Sequence, residues 1–204
     1  MPSKEFPLEY RAILEWVKRG SSLLDLGCGD GSLLSMLVQE KDVRAQGIEI
    51  SEEAIYQCVA KGLSVFHEDI DGGLSDYRDR SFDYVILYQT FQQVKNLDFV
   101  LKEALRVGGQ VIVGFPNFAH YRARWQLFFK GKTPVTSALP FEWHDTPNLH
   151  SLSISDFIEY CQSRKIQIDA SFYLSGNKEK KIFPNLLAEV ALFLTCLRNG
   201  STQE

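Results

Sequence analysis

Cysteine is sparse in this 204-residue chain, and its four copies (Cys28, Cys58, Cys161 and Cys196) lie far apart in sequence without a CxxC pair. Such scattered thiols exclude a disulfide framework or a zinc knuckle and suit a reducing cytoplasm, the expected location. No His, Cys and Asp group has metal-ligand spacing, so no metal site is expected. Basic charge is in deficit: 22 Lys+Arg against 26 Asp+Glu leave a net charge of −4. A chain that bound nucleic acid by neutralising phosphates would be basic, so that class is disfavoured. Long hydrophobic runs are missing too. The first twenty residues carry charges throughout, unlike a signal peptide, and the most apolar stretch, Leu186 to Leu197, contains Glu189 and is too short to span a bilayer. What is present is a globular composition, 45% hydrophobic, 12% aromatic and 24% charged, on a length that suits one domain over residues 1–204.

Short apolar runs alternate with helix-period segments, the pattern of βα units around a parallel sheet. Leu8, Ile13, Leu14 and Val17 recur at helical spacing, and Gly20 follows as a C′ residue, which predicts a helix over about 7–19. Strands are expected at Ser22–Leu26, Ala45–Ile50, Leu63–His67, Phe82–Tyr88 and Gln110–Phe115. Between them, Leu33, Leu34, Leu37 and Val38 mark the inward face of one helix, Ser51 caps a second, and Leu97, Leu101 and Leu105 mark a third. Residues 116–152 break the rhythm with an aromatic-rich helix candidate, Phe118–Phe129, and a loop holding Pro134, Pro140 and Pro147, read as a cap or insertion. Ser153-x-x-Asp156 resembles a capping box opening a helix to about Arg164. A sixth strand, KIQIDASFYL, and a polar turn over 175–181 follow. Periodicity alone leaves 184–197 open between strand and helix; a strand from about Val190 is favoured. The fold expected is Rossmann-like α/β, with a mostly parallel seven-stranded sheet flanked by helices.

The chemistry concentrates in LDLGCGDGSLL, where Asp25, Gly27, Gly29 and Gly31 alternate directly after a strand and before a helix. Glycines there permit a sharp turn and close approach of backbone to ligand, while Glu49, ending the second strand, is placed to accept hydrogen bonds from ribose hydroxyls. Dinucleotide binders place a pyrophosphate on this helix N-terminus. Here Asp25 and Asp30 would repel a pyrophosphate and attract a sulfonium and an amino group, so the charge pattern selects S-adenosylmethionine, or S-adenosylhomocysteine, over NAD. A glycine-rich turn alone is a weak signal and any βα turn uses glycine, but strand, helix and two acids agree with it.

DLGCGDG resembles the first motif of class I methyltransferases, and this resemblance implies cofactor contacts from Asp25, Gly27, Cys28, Gly29, Gly31, Glu49, Ile50, Asp69, Ile70, Tyr88 and Gln89. HEDIDGG around Asp69 also reads as an ordinary turn. The stretch from about Ser22 to Phe157 is similar to the methionine-biosynthesis MetW family, through GIEI, FDYVILYQTFQQV, LKEALRVG, GFPNFAHYRARWQLFFKGKTPV and LPFEWHDTPNLHSLSISDF. FPNFxHxRxRxQL and DTPNxH are the most specific of these. His144 stands where tyrosine is usual, and Tyr88 stands where a small residue is common and narrows the mouth of the pocket. The resemblance implies a protein that binds S-adenosylmethionine and supports or regulates homoserine O-acyltransferase, its expected partner. No GxSxG elbow is present, so the chain itself is not expected to be that acyltransferase. The alternative is a methyltransferase acting on an unidentified small-molecule acceptor.

Methyl transfer from a sulfonium needs in-line approach, and a general base only where the acceptor must lose a proton. His120, Tyr121, His144, Asp145 and His150 are candidates by their place after strand five, though a histidine in an aromatic loop is more often a packed residue. Tyr121, Trp125, Phe128 and Phe129 fall on one predicted helical face amid Arg122, Arg124, Lys130 and Lys132. That face reads equally as core packing or as a partner-docking surface, with membrane contact disfavoured by the acidic total.

Overall fold

The computed structural model describes residues 6–198. Among the described residues, eight strands form one sheet: β1 (Ser22–Leu26), β2 (Arg44–Glu49), β3 (Ser64–His67), β4 (Phe82–Tyr88), β5 (Gly108–Pro116), β6 (Ile166–Ser175), β7 (Lys178–Glu179) and β8 (Val190–Leu197). Their order is β3-β2-β1-β4-β5-β8-β6-β7. The first five are mutually parallel, and β8 inserts antiparallel between β5 and β6. The sheet is therefore mostly parallel, with eight strands and not the seven expected. The eighth, β7, is a two-residue hairpin partner of β6 inside what reads as a polar turn. The strand over 190–197 forms as favoured.

The pleat sorts the strands into two apolar layers. Leu23, Ile86, Ile112 and Leu192 pack with α1 (Leu8–Trp16) and α2 (Ser32–Lys41). Leu24, Leu26, Val85, Leu87, Val111 and Val113 pack on the opposite face with α4 (Leu97–Val107) and α6 (Ile154–Ser163), following α3 (Glu52–Ala60) and the short α5 (Tyr121–Trp125) in chain order. Phe193 of β8 stacks on Phe115 at 5.9 Å and meets Phe157 of α6 at 4.7 Å, fixing α6 over the antiparallel half of the sheet.

Two helix readings are corrected. The first helix ends at Trp16 because Val17 turns extended and is buried in the core; Gly20, four residues beyond that end, uses its positive φ to send its N–H to the Lys41 carbonyl instead. In α2 the buried arc includes Met36 and leaves Val38 exposed, since α1 packs beside α2 and turns its apolar face.

The helix expected over Phe118–Phe129 starts later, at Tyr121, and its second half is a π turn, Gln126–Lys130, closed by Gly131 at φ +59°. Asn117 anchors the start of the segment. Its side-chain amide donates to Asn185 and Ala188 carbonyls beside α7 (Pro184–Leu187), and its carbonyl oxygen accepts from Ala119 and Ile154. Farther along, the Gln92 carbonyl accepts the Leu149 and His150 amides, and His150 Nε2 donates to Val94 O at 2.9 Å. The irregular loop is thereby tied to the segment after β4.

At the entry to α6, Ser153 Oγ accepts from Asp156 N while the Asp156 carboxylate accepts from Ser153 N, a complete capping box. Replacing Ser153 with alanine leaves a helix-end donor unpaired, and urea denaturation should show a loss of about 1 kcal/mol.

Candidate functional site

The strand order reverses between β1 and β4, and the carboxyl ends of strands flanking such a point form a crevice. A cavity of about 500 Å³ opens there, within the roughly 300–1,000 Å³ usual for small-molecule sites. Its floor is the turn after β1. Gly27, Gly29 and Gly31 all have positive φ, at +74°, +54° and +71°, so the alternation seen in the sequence is a run of left-handed residues. Gly27 and Cys28 donate their amides to Ile48 O, at 2.8 and 3.1 Å, stitching the turn to β2. Glu49 completes the seam: its carboxylate accepts from Gly29, Ile50 and Ser51 amides at 2.8–2.9 Å.

These glycines serve different ends. A Cβ at Gly27 would strike Thr90 and one at Gly31 would strike Leu63 and Cys58, so both are packing positions. At Gly29 an added Cβ meets nothing within 4 Å, and this residue lines the cavity. Of the residues expected to contact a cofactor, Asp25, Gly27, Cys28, Gly29, Glu49, Ile50, Asp69, Ile70, Tyr88 and Gln89 line the cavity, whereas Gly31 does not. Cys28 and Cys58, distant in sequence, come within 4.0 Å at their sulfurs beneath the turn.

The walls are acidic. Asp25, Glu49, Glu68, Asp69 and Asp71 line them, with Lys95 beside Asp71, to whose carboxylate its amide donates. Asp25 is 2% exposed, and burial, reinforced by the neighbouring Glu49 charge, pushes its carboxyl up to about 7. Asp30 behaves otherwise: Lys61 pairs with it at 2.8 Å and Ser32 donates to it, holding it down at about 2. The attraction for a cation that the sequence assigned to both acids therefore rests on Asp25, on Glu49 at the end of β2 and on the acids that follow β3. Asp69 caps the 3-10 turn Ile70–Gly72 by accepting from Asp71 N, so the turn reading and the cavity position both hold.

Sequence reasoning missed Tyr10. Its place on α1 carries no motif, yet its ring meets Tyr88 at 5.8 Å and 80° over the β4 end of the cavity. Thr90, Gln93, Val94 and Lys95 also line it, while Phe91 and Gln92 turn into the core. The acid–base candidates lie elsewhere. His120 is 3% exposed against Tyr121 and outside the cavity, His150 faces a second small hollow under the loop, and His144 and Asp145 lie on the exposed loop. Tyr121, Trp125, Phe128 and Phe129 are all exposed, Phe128 to 82%, which removes the core-packing reading of that face.

An acidic cavity with a buried carboxylate, an open glycine and a strand-end glutamate fits a cationic nucleoside. The raised Asp25 carboxyl also makes a stability prediction. Unfolded, this group ionises near pH 4 and, folded, near 7, so it withdraws stability as pH rises through that window. Chemical denaturation of the ligand-free protein should find Asp25→Asn about 2–4 kcal/mol more stable than wild type at pH 8, the two converging near pH 4.

Comparison with known proteins fits this geometry. A SAM-dependent methyltransferase from Thermotoga maritima superposes with a TM-score of 0.67 at 16% identity, covering 94% of this chain and 88% of that one. The [4+2]-cyclase SpnF superposes with a TM-score of 0.66 at 15% identity, covering 93% and 80%. The shared architecture is thus the Rossmann-like methyltransferase fold, on which unlike chemistries occur. In sequence, the chain is 33% identical over 198 residues to a bifunctional methionine biosynthesis protein MetXA/MetW of Rhodopirellula baltica, covering 91% of this chain. It spans about a third of that relative's length, 32%. The family model described as methionine biosynthesis protein MetW matches residues 8–195, and the chain belongs to that family.

Proposed function

We propose that the cavity binds S-adenosylmethionine and that the bound protein supports or regulates homoserine O-acyltransferase in methionine biosynthesis. The observation that carries the first half is the buried, charge-stressed Asp25 beside the open Gly29. Glu49 presents its carboxylate toward ribose hydroxyls while its amide partners hold it in place. Asp69 and Ile70 flank the adenine, and Gly29 leaves room for the backbone to approach. When bound, the nucleoside supplies a sulfonium carrying an electrophilic methyl group. Asp25 takes up its charged form against that cation.

The regulatory reading is favoured over methyl transfer by what faces the cavity. Its titratable groups are carboxylates, tyrosines, Lys95 and the Cys28 thiol, with the thiol pushed up by burial and the Tyr10 hydroxyl pushed up to about 12 by burial and the nearby Asp25. The group matched to take a proton near neutral pH is Asp25, and in this reading its charged form is committed to the sulfonium, which leaves an acceptor without a free base. Support for the partner comes from the bifunctional relative, which joins MetXA and MetW in one chain. The docking face is the exposed cluster of Trp125, Phe128 and Phe129, with ring centroids 4.8–5.4 Å apart and Lys130 over the Trp125 ring at 5.4 Å. Trp143, 74% exposed, extends it. Aromatic and arginine-rich patches of this kind supply interface hot spots.

Calorimetry should detect S-adenosylmethionine binding whose affinity rises several-fold from pH 5.5 to 7.0, as Asp25 ionises. Asp25→Asn should bind weakly with a flat profile. Purified homoserine acyltransferase should turn over faster with this protein plus S-adenosylmethionine, without its consumption. Gly29→Val should abolish the effect by losing the nucleoside. Trp125→Ala with Phe128→Ala should abolish it while still binding the nucleoside. Release of S-adenosylhomocysteine together with an unchanged acyltransferase would favour the methyltransferase reading.

A further inference from the structure

Tyr10 and Tyr88 come from opposite ends of the fold's first half, one from α1 and one from the last residue of β4, and meet over the cavity. The Tyr88 ring is seated by an absence: a Cβ on Gly114, its parallel partner in β5, would lie 2.6 Å from the Tyr88 ring. That gap holds the ring across the sheet end. Both phenols are mostly buried and stay protonated, Tyr10 being raised to about 12 and Tyr88 higher still, so both rings keep a neutral, electron-rich face. Asp25 lies close enough for its charge to act on Tyr10.

The distances along the sheet place this pair at one end of the ligand. Glu49 ends β2 and Tyr88 ends β4, with β1 between them, so the two stand about 10 Å apart at ordinary strand spacing. A nucleoside whose ribose hydroxyls meet Glu49 carries its sulfur over β1 toward the two rings. We infer that Tyr10 and Tyr88 form an aromatic clamp that recognises the positive charge on sulfur, so that the site accepts S-adenosylmethionine and rejects its neutral thioether, S-adenosylhomocysteine. This rests on the nucleoside reading of the cavity and adds to it a specificity determinant. The two nucleosides differ by one methyl group and one charge. A ring face attracts the cation and offers the thioether only dispersion contacts. Such a site would respond to the supply of methyl donor and not to its spent form, the discrimination a regulator of methionine synthesis requires.

Calorimetric titration of the intact protein at pH 7.5 with S-adenosylmethionine, S-adenosylhomocysteine and sinefungin, whose ammonium replaces the sulfonium, tests the clamp. The wild type should bind both cations at least tenfold more tightly than the thioether. Tyr10→Leu and Tyr88→Leu should cut that ratio at least fivefold, mainly by weakening the cations. Tyr10→Phe and Tyr88→Phe, which keep the rings, should preserve it, so that a general packing defect is told apart from a lost ring face. A wild-type ratio below tenfold, or a ratio that survives both leucine changes, overturns the clamp while leaving nucleoside binding intact. Absence of heat with all three ligands overturns the nucleoside reading itself.

Discussion

The structure depends on the seam between the turn after β1 and the end of β2. Two amides of that turn go to the Ile48 carbonyl and a third to the Glu49 carboxylate, and only left-handed residues at 27, 29 and 31 allow the chain to fold back so tightly. The seam has an electrostatic consequence. With Glu49 held by backbone amides and Asp25 buried on the neighbouring strand, it is the Asp25 charge that is disfavoured, its carboxyl pushed up to about 7 by burial first and the Glu49 charge second. A cation entering the cavity would restore it. Folding thus leaves a charge deficit in the place where a ligand can relieve it.

Much of this was legible in the residues, for identifiable reasons. The bounds of β1 and β4 follow from apolar runs framed by turn residues, and the Ser153–Asp156 box follows from two side chains whose roles are fixed by spacing. The rest depends on partners distant in the chain. Lys61 neutralises Asp30 across 31 residues, Cys58 reaches Cys28 across 30, and Tyr10 of the first helix reaches Tyr88 at the end of β4; no local period encodes any of these. β7 escaped because two charged residues, Lys178 and Glu179, carry no alternation. The π turn escaped because an extra residue per turn leaves the same aromatic pattern on the page as an α-helix would.

Residues 116–152 present two different sides. Their inner side is held down by Asn117, Gln92 and His150, and Gln126 clamps Val135 through both its amide groups. Their outer side carries the exposed aromatics. The attachment through Gln92 and Val94 matters because Val94, Gln93 and Lys95 also line the cavity. One short segment after β4 therefore touches both the cavity and the support of the aromatic face, giving a contiguous path between them. Among the described residues no helix is long and apolar enough to cross a membrane.

The most direct measurement is an amide chemical-shift titration of the isotopically labelled protein with S-adenosylmethionine. The account predicts saturable shifts centred on Gly27, Gly29, Ile50 and Asp69, with smaller ones reaching Val94. Failure of any of these amides to move at millimolar ligand, or movement confined to residues 121–149, would contradict it.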